Sequence, residues 1–179
     1  PMGAGLGGGS SDGAFTLRLL NNRFQLKLSD KELLRYSLEL GSDCPFFITD
    51  NPAYAEGRGE LMENIPLDLS GYSFLLISPG IHISTAEAFS QIKPTEPVDE
   101  LRSLVTNPIQ TWKNTIFNDF EQSVFNKHPE IEKIKTILYE QGAVYASMTG
   151  TGSSVYGIFE KDHLPEKLFD GIYRTDRVR

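Results

Sequence analysis

Residues 1–12 read PMGAGLGGGSSD, and Gly3, Gly5, Gly7, Gly8 and Gly9 make more than half of the first nine positions glycine. Glycine lets a backbone approach a ligand closely and turn successive N–H groups the same way. An apolar period begins directly afterwards. Ala14, Leu17, Leu20 and Phe24 recur at three- and four-residue spacing, which predicts an amphipathic helix over about Ser11–Asn22. Ser10, Ser11 and Asp12 are each good N-caps for it. A helix start carries free N–H groups and partial positive charge. The glycine run and the helix therefore outline an anion site suited to phosphates. Ser10 and Ser11 add hydroxyls that can donate to phosphate or contact a magnesium ion.

Other patterns compete for this loop. Gly3, Gly5 and Gly8 satisfy the spacing G-x-G-x-x-G, but the dinucleotide fingerprint needs a strand ending in an acid about twenty residues on. Asp30 has that spacing and opens a helix instead. A Walker A loop requires Gly-Lys-Ser/Thr, and no lysine is present. A flexible glycine-serine linker does not account for the helix that starts immediately.

Outward from the loop, Ser29 and Glu32 form a capping box at the head of a second helix, Asp30–Leu40, with Gly41 at its C′ position. The loop Ser42-Asp43-Cys44-Pro45 leads to a short apolar strand over Phe46–Ile48. Tyr54–Met62 reads as strand and turn, and Ser73–Ser78 as a buried strand broken by Pro79-Gly80. Ser84 caps a short helix running to Ile92, and Pro94 and Pro97 mark a linker. Val98–Gln141 is mostly helical, with breaks near Asn107-Pro108 and His128-Pro129 and a stop at Gly142. Strands follow at Ala143–Met148 and Ser154–Phe159, joined by the turn Thr149-Gly150-Thr151-Gly152-Ser153, and then a final short helix over Leu164–Phe169. This mixture of helices and strands is α+β.

The bulk numbers narrow the function. In 179 residues, 39% are hydrophobic, which suits one or two globular domains. The net charge is −7 and no Lys/Arg cluster stands out, so nucleic acid is not expected as a partner. Cys44 is the single cysteine, which fits a reducing compartment. His82, His128 and His163 are too dispersed for a zinc pattern. The longest apolar runs, such as Phe74–Ile77, are strand-sized, and no signal peptide is visible. A cytoplasmic protein without a membrane partner is the expectation. The chain opens on Pro1 in mid-motif, which reads as a fragment lacking an N-terminal portion.

Six segments, in order, resemble those of the GHMP kinases. They are PMGAGLGGGSSD at the start, Leu40-Gly41-Ser42-Asp43-Cys44-Pro45-Phe46-Phe47, and Ala55-Glu56-Gly57-Arg58-Gly59-Glu60. Then come Pro79-Gly80 with Ser84-Thr85 and Phe89, Asn118-Asp119-Phe120-Glu121, and Thr149-Gly150-Thr151-Gly152-Ser153-Ser154. The resemblance implies that residues 1–65 are the end of a ribosomal-S5-like domain carrying the ATP loop, and residues 66–179 a ferredoxin-like C-terminal domain. It implies ATP and Mg2+ as cofactors, with Pro1, Met2, Gly3, Ala4, Gly5, Leu6, Gly7, Gly8, Gly9, Ser10 and Ser11 on the nucleotide. Within the family, the doubled GLGGGSS form implies a small-molecule substrate, cytidine diphosphate methylerythritol, phosphorylated on a hydroxyl in non-mevalonate isoprenoid precursor synthesis. Another GHMP small-molecule kinase and a catalytically incomplete ATP-binding fragment are the alternatives. The family's N-terminal part carries a lysine paired with the catalytic aspartate, so the site on this chain is expected to be incomplete.

Asp43 is the candidate catalytic and substrate-binding carboxylate. It follows a helix end and precedes Pro45, which restrains Cys44 to extended geometry; its other reading is a turn-former. Thr85 and Phe89 match family positions that line the substrate pocket, against readings as a cap helper and a core filler. The Thr149–Ser153 turn either packs against the first loop or is an ordinary hairpin turn. Cys44 reads as a small buried thiol, and Asp119 and Glu121 as helix-capping or solvated residues. Gly13 stands where the family has alanine, which weakens the helix start by up to about 1 kcal/mol.

Overall fold

The apolar period that begins at Ala14 folds into a helix longer than its spacing predicts. In the computed structural model, which describes residues 3–49, 51–57, 59, 61–92, 100–169 and 171–178, helix α1 spans Gly8–Phe24. Its N-cap is Gly7, at φ 64, with no side chain bonded to the helix end. Ser10, Ser11 and Asp12 thus lie inside the first turns and cap nothing. The left-handed backbone that Gly7 takes without strain lets the helix begin earlier.

Two units divide the described residues. One runs from Gly7 to Leu67; the other joins Gly3–Leu6 to the chain from Asp68 onward. In the first, Asn21 turns the chain out of α1, its side chain donating to Leu28 O (3.1 Å) and accepting from Leu28 N (3.0 Å). Helix α2, Asp30–Leu40, has the expected capping box: Ser29 N donates to Glu32 Oε2 (2.8 Å) and Glu32 N to Ser29 Oγ (3.4 Å). Gly41 is not the left-handed C′ glycine of the sequence reading. Its φ of 173 is extended, and its N–H closes on Ser37 O.

Phe46–Thr49 forms a short helix, α3, and not a strand. Pro45 favours a helical first turn, and its carbonyl accepts from Ile48 N and Thr49 N. Strands β1, Ala53–Glu56, and β2, Leu61–Asn64, pair antiparallel from Ala53↔Asn64 to Glu56↔Leu61, as the strand-and-turn reading expects. The core of this unit is Ala14, Leu33 and Ile48, with Leu17, Leu28, Leu34 and Phe47 packed around it. Arg18 Nη2 also donates to Ile48 O, tying α1 to α3.

The second unit centres on a four-stranded antiparallel sheet. Its strands are β3 (Tyr72–Ser78), β4 (Tyr145–Met148), β5 (Val155–Glu160) and β6 (Arg174–Val178), in the order β4-β5-β3-β6. Alternation on β3 buries Ser73, Leu75 and Ile77, and the register Leu75↔Gly157, Ile77↔Val155 aligns them with β5. Helices α4 (Thr85–Gln91), α5 (Leu101–Leu104), α6 (Ile109–Thr115), α7 (Glu121–Lys127) and α8 (Pro129–Glu140) lie between β3 and β4 in the chain. The breaks at Asn107-Pro108 and His128-Pro129 occur as expected, and a further one falls at residues 116–120. Ile131, Ile134 and Leu138 of α8 and Val124 of α7 pack with Leu75, Ile77, Met148, Val155 and Phe159 in one core.

Two expectations fail here. Leu164–Phe169 is irregular and not a helix. Leu164, Leu168 and Phe169 reach the core from turns, Phe169 with φ 62, so their apolar spacing reflects burial without helical periodicity. Strand β6 escaped the sequence reading because RTDRV is mostly polar, as suits an edge strand. The linker prolines Pro94 and Pro97 lie outside the described residues. Among the described residues, no helix is long and apolar enough to cross a membrane. The mixed helices and antiparallel sheets are the α+β class expected.

Candidate active site

The hydrogen-bond ladder of α1 opens with Ser11 N donating to Gly7 O at 2.8 Å. The N–H groups of Gly8, Gly9 and Ser10 precede that bond and, among the described residues, are the helix's unclaimed donors. No acidic residue occupies the first turn, so nothing in it competes with an anion for the positive helix end. A Cβ placed on Gly9 would meet no atom within 4 Å. Among the described residues, the space beside Gly9 is therefore clear.

The segment carrying Asp43 packs against this same helix start. The Phe47 ring lies 3.1 Å from where a Gly7 Cβ would stand, and Cys44 Sγ 3.6 Å from that of Gly13. Cys44 is buried, as read from sequence. Between these anchors, Asp43 is exposed, in a turn closed by Cys44 N donating to Gly41 O (3.1 Å). Its Oδ1 would lie 3.1 Å from a Cβ on Gly59, which has φ 108. The glycine of the third matched segment thus leaves room for the carboxylate. Arg58 and Glu60 of that segment, like Pro1 and Met2 of the loop, lie outside the described residues.

The other end of the glycine run rests on the β4–β5 turn, within the sheet unit. Thr149 Oγ1 donates to Gly5 O (2.8 Å), and Ser154 N donates to Ala4 O (3.2 Å). A Cβ on Gly5, at φ 75, would lie 2.1 Å from Thr149 O, so only glycine fits. The turn does pack against the first loop. Its own shape is held by Ser153 Oγ donating to Ile81 O (2.5 Å) and by the Ser78–Ser154 hydroxyl contact (3.0 Å). His82 flanks Gly3, its Nδ1 3.5 Å from the position of a Cβ there.

Thr85 and Phe89 sit on α4. Ser84, not Thr85, caps that helix, accepting from Glu87 N at 3.4 Å, so the Thr85 hydroxyl is exposed and uncommitted to the cap. Phe89 is 62% exposed, its ring edge-on to Phe120 at 4.9 Å, and fills no core. A cavity of about 530 Å³ lies between α4 and α7, lined by Gln91, Asp119, Ser123, Asn126 and Lys127 among others. Lys127 bonds Glu87 across from α7, and this bond, with the lysine charge, holds the Glu87 carboxyl below the usual range.

Sequence reasoning misjudged Glu121. It is 7% exposed, and its carboxylate accepts from Met148 N (2.8 Å), Ser147 Oγ (3.2 Å) and Lys135 Nζ (2.5 Å). It is neither a solvated nor a helix-capping residue; the edge strand β4 draws it inward. Asn118 was overlooked as well, its only signal being membership of the NDFE segment. Nearby, burial pushes the Tyr145 hydroxyl up to about 12, and that hydroxyl donates to Ile116 O (3.3 Å). Among the described residues, no three metal-ligating side chains cluster.

A glycine loop feeding an open helix start, with an exposed carboxylate in the segment packed against that helix, is an arrangement suited to an anionic ligand. Residues 1–51 match the GHMP kinases N terminal domain and residues 99–175 the GHMP kinases C terminal domain, and the chain belongs to the GHMP kinase family. Its relatives within that family are 4-diphosphocytidyl-2-C-methyl-D-erythritol kinases. The one from Bacteroides thetaiotaomicron is 54% identical over 167 residues, 93% of this chain and 61% of the relative. That from Prosthecochloris aestuarii is 38% identical over 186 residues, 100% of this chain and 65% of the relative. A crystal structure of 4-(cytidine 5′-diphospho)-2C-methyl-D-erythritol kinase superposes with TM-score 0.80 at 25% identity, covering 99% of this chain and 66% of that one. Homoserine kinase from Cytophaga hutchinsonii shares the fold, with TM-score 0.72 at 15% identity and coverage of 99% and 66%. The chain thus spans about 61% of the length of the Bacteroides relative.

Proposed function

We propose that this protein transfers the γ-phosphoryl group of ATP to a hydroxyl of 4-diphosphocytidyl-2-C-methyl-D-erythritol. The observation that carries the proposal is the pairing, within one unit, of unclaimed N–H groups at Gly8–Ser10 with the exposed carboxylate of Asp43. The names of the relatives supply the acceptor. Phosphoryl transfer asks mainly for positioning and charge stabilisation. In this reading the glycine run, Gly3–Gly9 with Ser10 and Ser11, lies along the nucleotide phosphates, and the helix start offsets their charge. Asp43 takes the proton of the acceptor hydroxyl as its oxygen bonds to the γ-phosphorus and the bond to ADP breaks. Mg2+ arrives with the nucleotide, as it commonly does, and a Ser10 or Ser11 hydroxyl oxygen is this chain's contribution to it. Thr85 and Phe89, on an exposed face of α4, contact the cytidine diphosphate substrate. The reaction takes place in the cytoplasm.

Asp43→Asn in the full-length enzyme tests the proposal. A positioned base contributes on the order of 10²–10⁴ in rate. The variant is expected to lose turnover by such a factor while the ATP affinity changes little. Near-normal turnover removes Asp43 from the chemistry. ADP release with homoserine or mevalonate, and none with the cytidine diphosphate substrate, changes the acceptor.

A further inference from the structure

We infer that Asn118 and Glu121 are positioning residues of the nucleotide loop, acting through the β4–β5 turn; the inference rests on the reading of the glycine run as the phosphate loop. Strand β4 lies at the edge of the sheet, with β5 on one side only. Its outward backbone groups would otherwise lack a ladder partner. At the last strand residue, Met148, side chains take up both. Glu121 accepts from Met148 N (2.8 Å), and Asn118 Nδ2 donates to Met148 O (2.7 Å).

The second donation by Asn118 carries the argument beyond edge capping. Nδ2 also reaches Gly150 O, at 2.8 Å. The Asn118 amide therefore bonds the carbonyls on both sides of Thr149, the residue that holds Gly5 through its hydroxyl and meets it through its carbonyl. The amide itself is oriented by Phe120 N, which donates to Oδ1 at 3.0 Å. The Glu121 carboxylate is fixed in turn by Lys135 Nζ (2.5 Å) and Ser147 Oγ (3.2 Å). Charge-assisted bonds of this kind are stronger and more directional than neutral ones. A chain of bonds thus runs from the pair of buried Glu121 and half-buried Lys135 through Met148, Asn118 and Thr149 to Gly5. Groups that orient a binding element from behind act by holding it near its working geometry.

The decisive variant is Asn118→Asp, which keeps the size and replaces two donors with an acceptor facing two carbonyls. Two readouts are taken on the full-length protein: ATP affinity by titration calorimetry, and amide hydrogen exchange at Ser154, whose N–H bonds Ala4 O. Expected are a tenfold or greater loss of ATP affinity and a tenfold or greater rise in Ser154 exchange, with exchange on β3 and β5 unchanged. Glu121→Gln retains an acceptor for Met148 N and is expected to fall between wild type and Asn118→Asp in both. Asn114→Asp, the same change on the exposed face of α6, is expected to alter neither. Unchanged exchange at Ser154 overturns the inference, and so does faster exchange with undiminished ATP affinity. If the wild-type full-length protein itself binds no ATP, the phosphate-loop reading fails, and the exchange data alone decide whether Asn118 positions the loop.

Discussion

In the sheet unit, Leu75, Ile77, Ile131, Leu138, Val155 and Phe159 are fully enclosed; in the helical unit that carries Asp43, only Ala14, Leu33, Cys44, Pro45 and Ile48 are buried apolar side chains among the described residues. The surfaces differ in the opposite sense. Phe15, Leu19, Leu20 and Phe24 lie exposed along α1, joined by Leu26, Leu38, Leu40 and Leu61 from the rest of that unit. The deep core thus belongs to the turn that braces the loop, and the shallow one to the acid.

The largest effect that bears on this contrast is expected in the sheet core. Phe159→Ala should destabilise by about 3–5 kcal/mol, read from urea unfolding by the fluorescence of Trp112, the single tryptophan, which is buried in that unit. Leu33→Ala, in the helical unit, should leave the Trp112 transition within about 1 kcal/mol of wild type. Equal shifts from both would erase the distinction between the cores. Next comes Gly13→Ala. A Cβ there would stand 3.5 Å from Leu40 Cδ1 and 3.6 Å from Cys44 Sγ, in ordinary contact. The substitution should raise helical stability by up to about 1 kcal/mol, visible as a later loss of far-UV circular dichroism in urea. A loss of stability would mean that the shallow core has no room for one methyl group.

The smallest effect concerns acid. The Ser29 backbone N–H, then its hydroxyl, hold the Glu32 carboxyl below its ordinary range. A carboxyl lowered on folding stabilises the folded form above its unfolded pKa and loses that contribution as pH falls through the folded value. The helical signal of the wild type should therefore decline slightly between about pH 5 and pH 3. Glu32→Gln should flatten that decline. An equal decline in both would show that the capping box does not set the acid sensitivity of α2.

Much of this was legible from residue spacing. Helices α1, α2 and α8 and strands β3, β4 and β5 follow from apolar periods, caps and breakers, although β4 is buried on both faces. The loop and the acid were legible because glycine density and the LGSDCPFF segment are local features. What escaped depended on distant partners. Gly7 caps α1 in place of three better-looking candidates, and Pro45 turns an apolar triplet into a helix. Strand β6 is defined by its pairing with β3, from Phe74↔Val178 to Ser78↔Arg174, which its own polar sequence does not announce. Glu121 looked like a surface acid because nothing local reveals that Met148, Ser147 and Lys135 converge on it.

The bond from Thr149 to Gly5 spans 144 residues. Residues 3–6 are made well before the groups that fix them, Asn118, Thr149 and Ser154. Closing so long a loop is entropically unfavourable until the sheet beneath it exists. The backbone of the glycine run is therefore made long before it acquires its shape. A nascent chain stalled before Met148 would carry the glycine motif in full and present no ordered loop to a nucleotide.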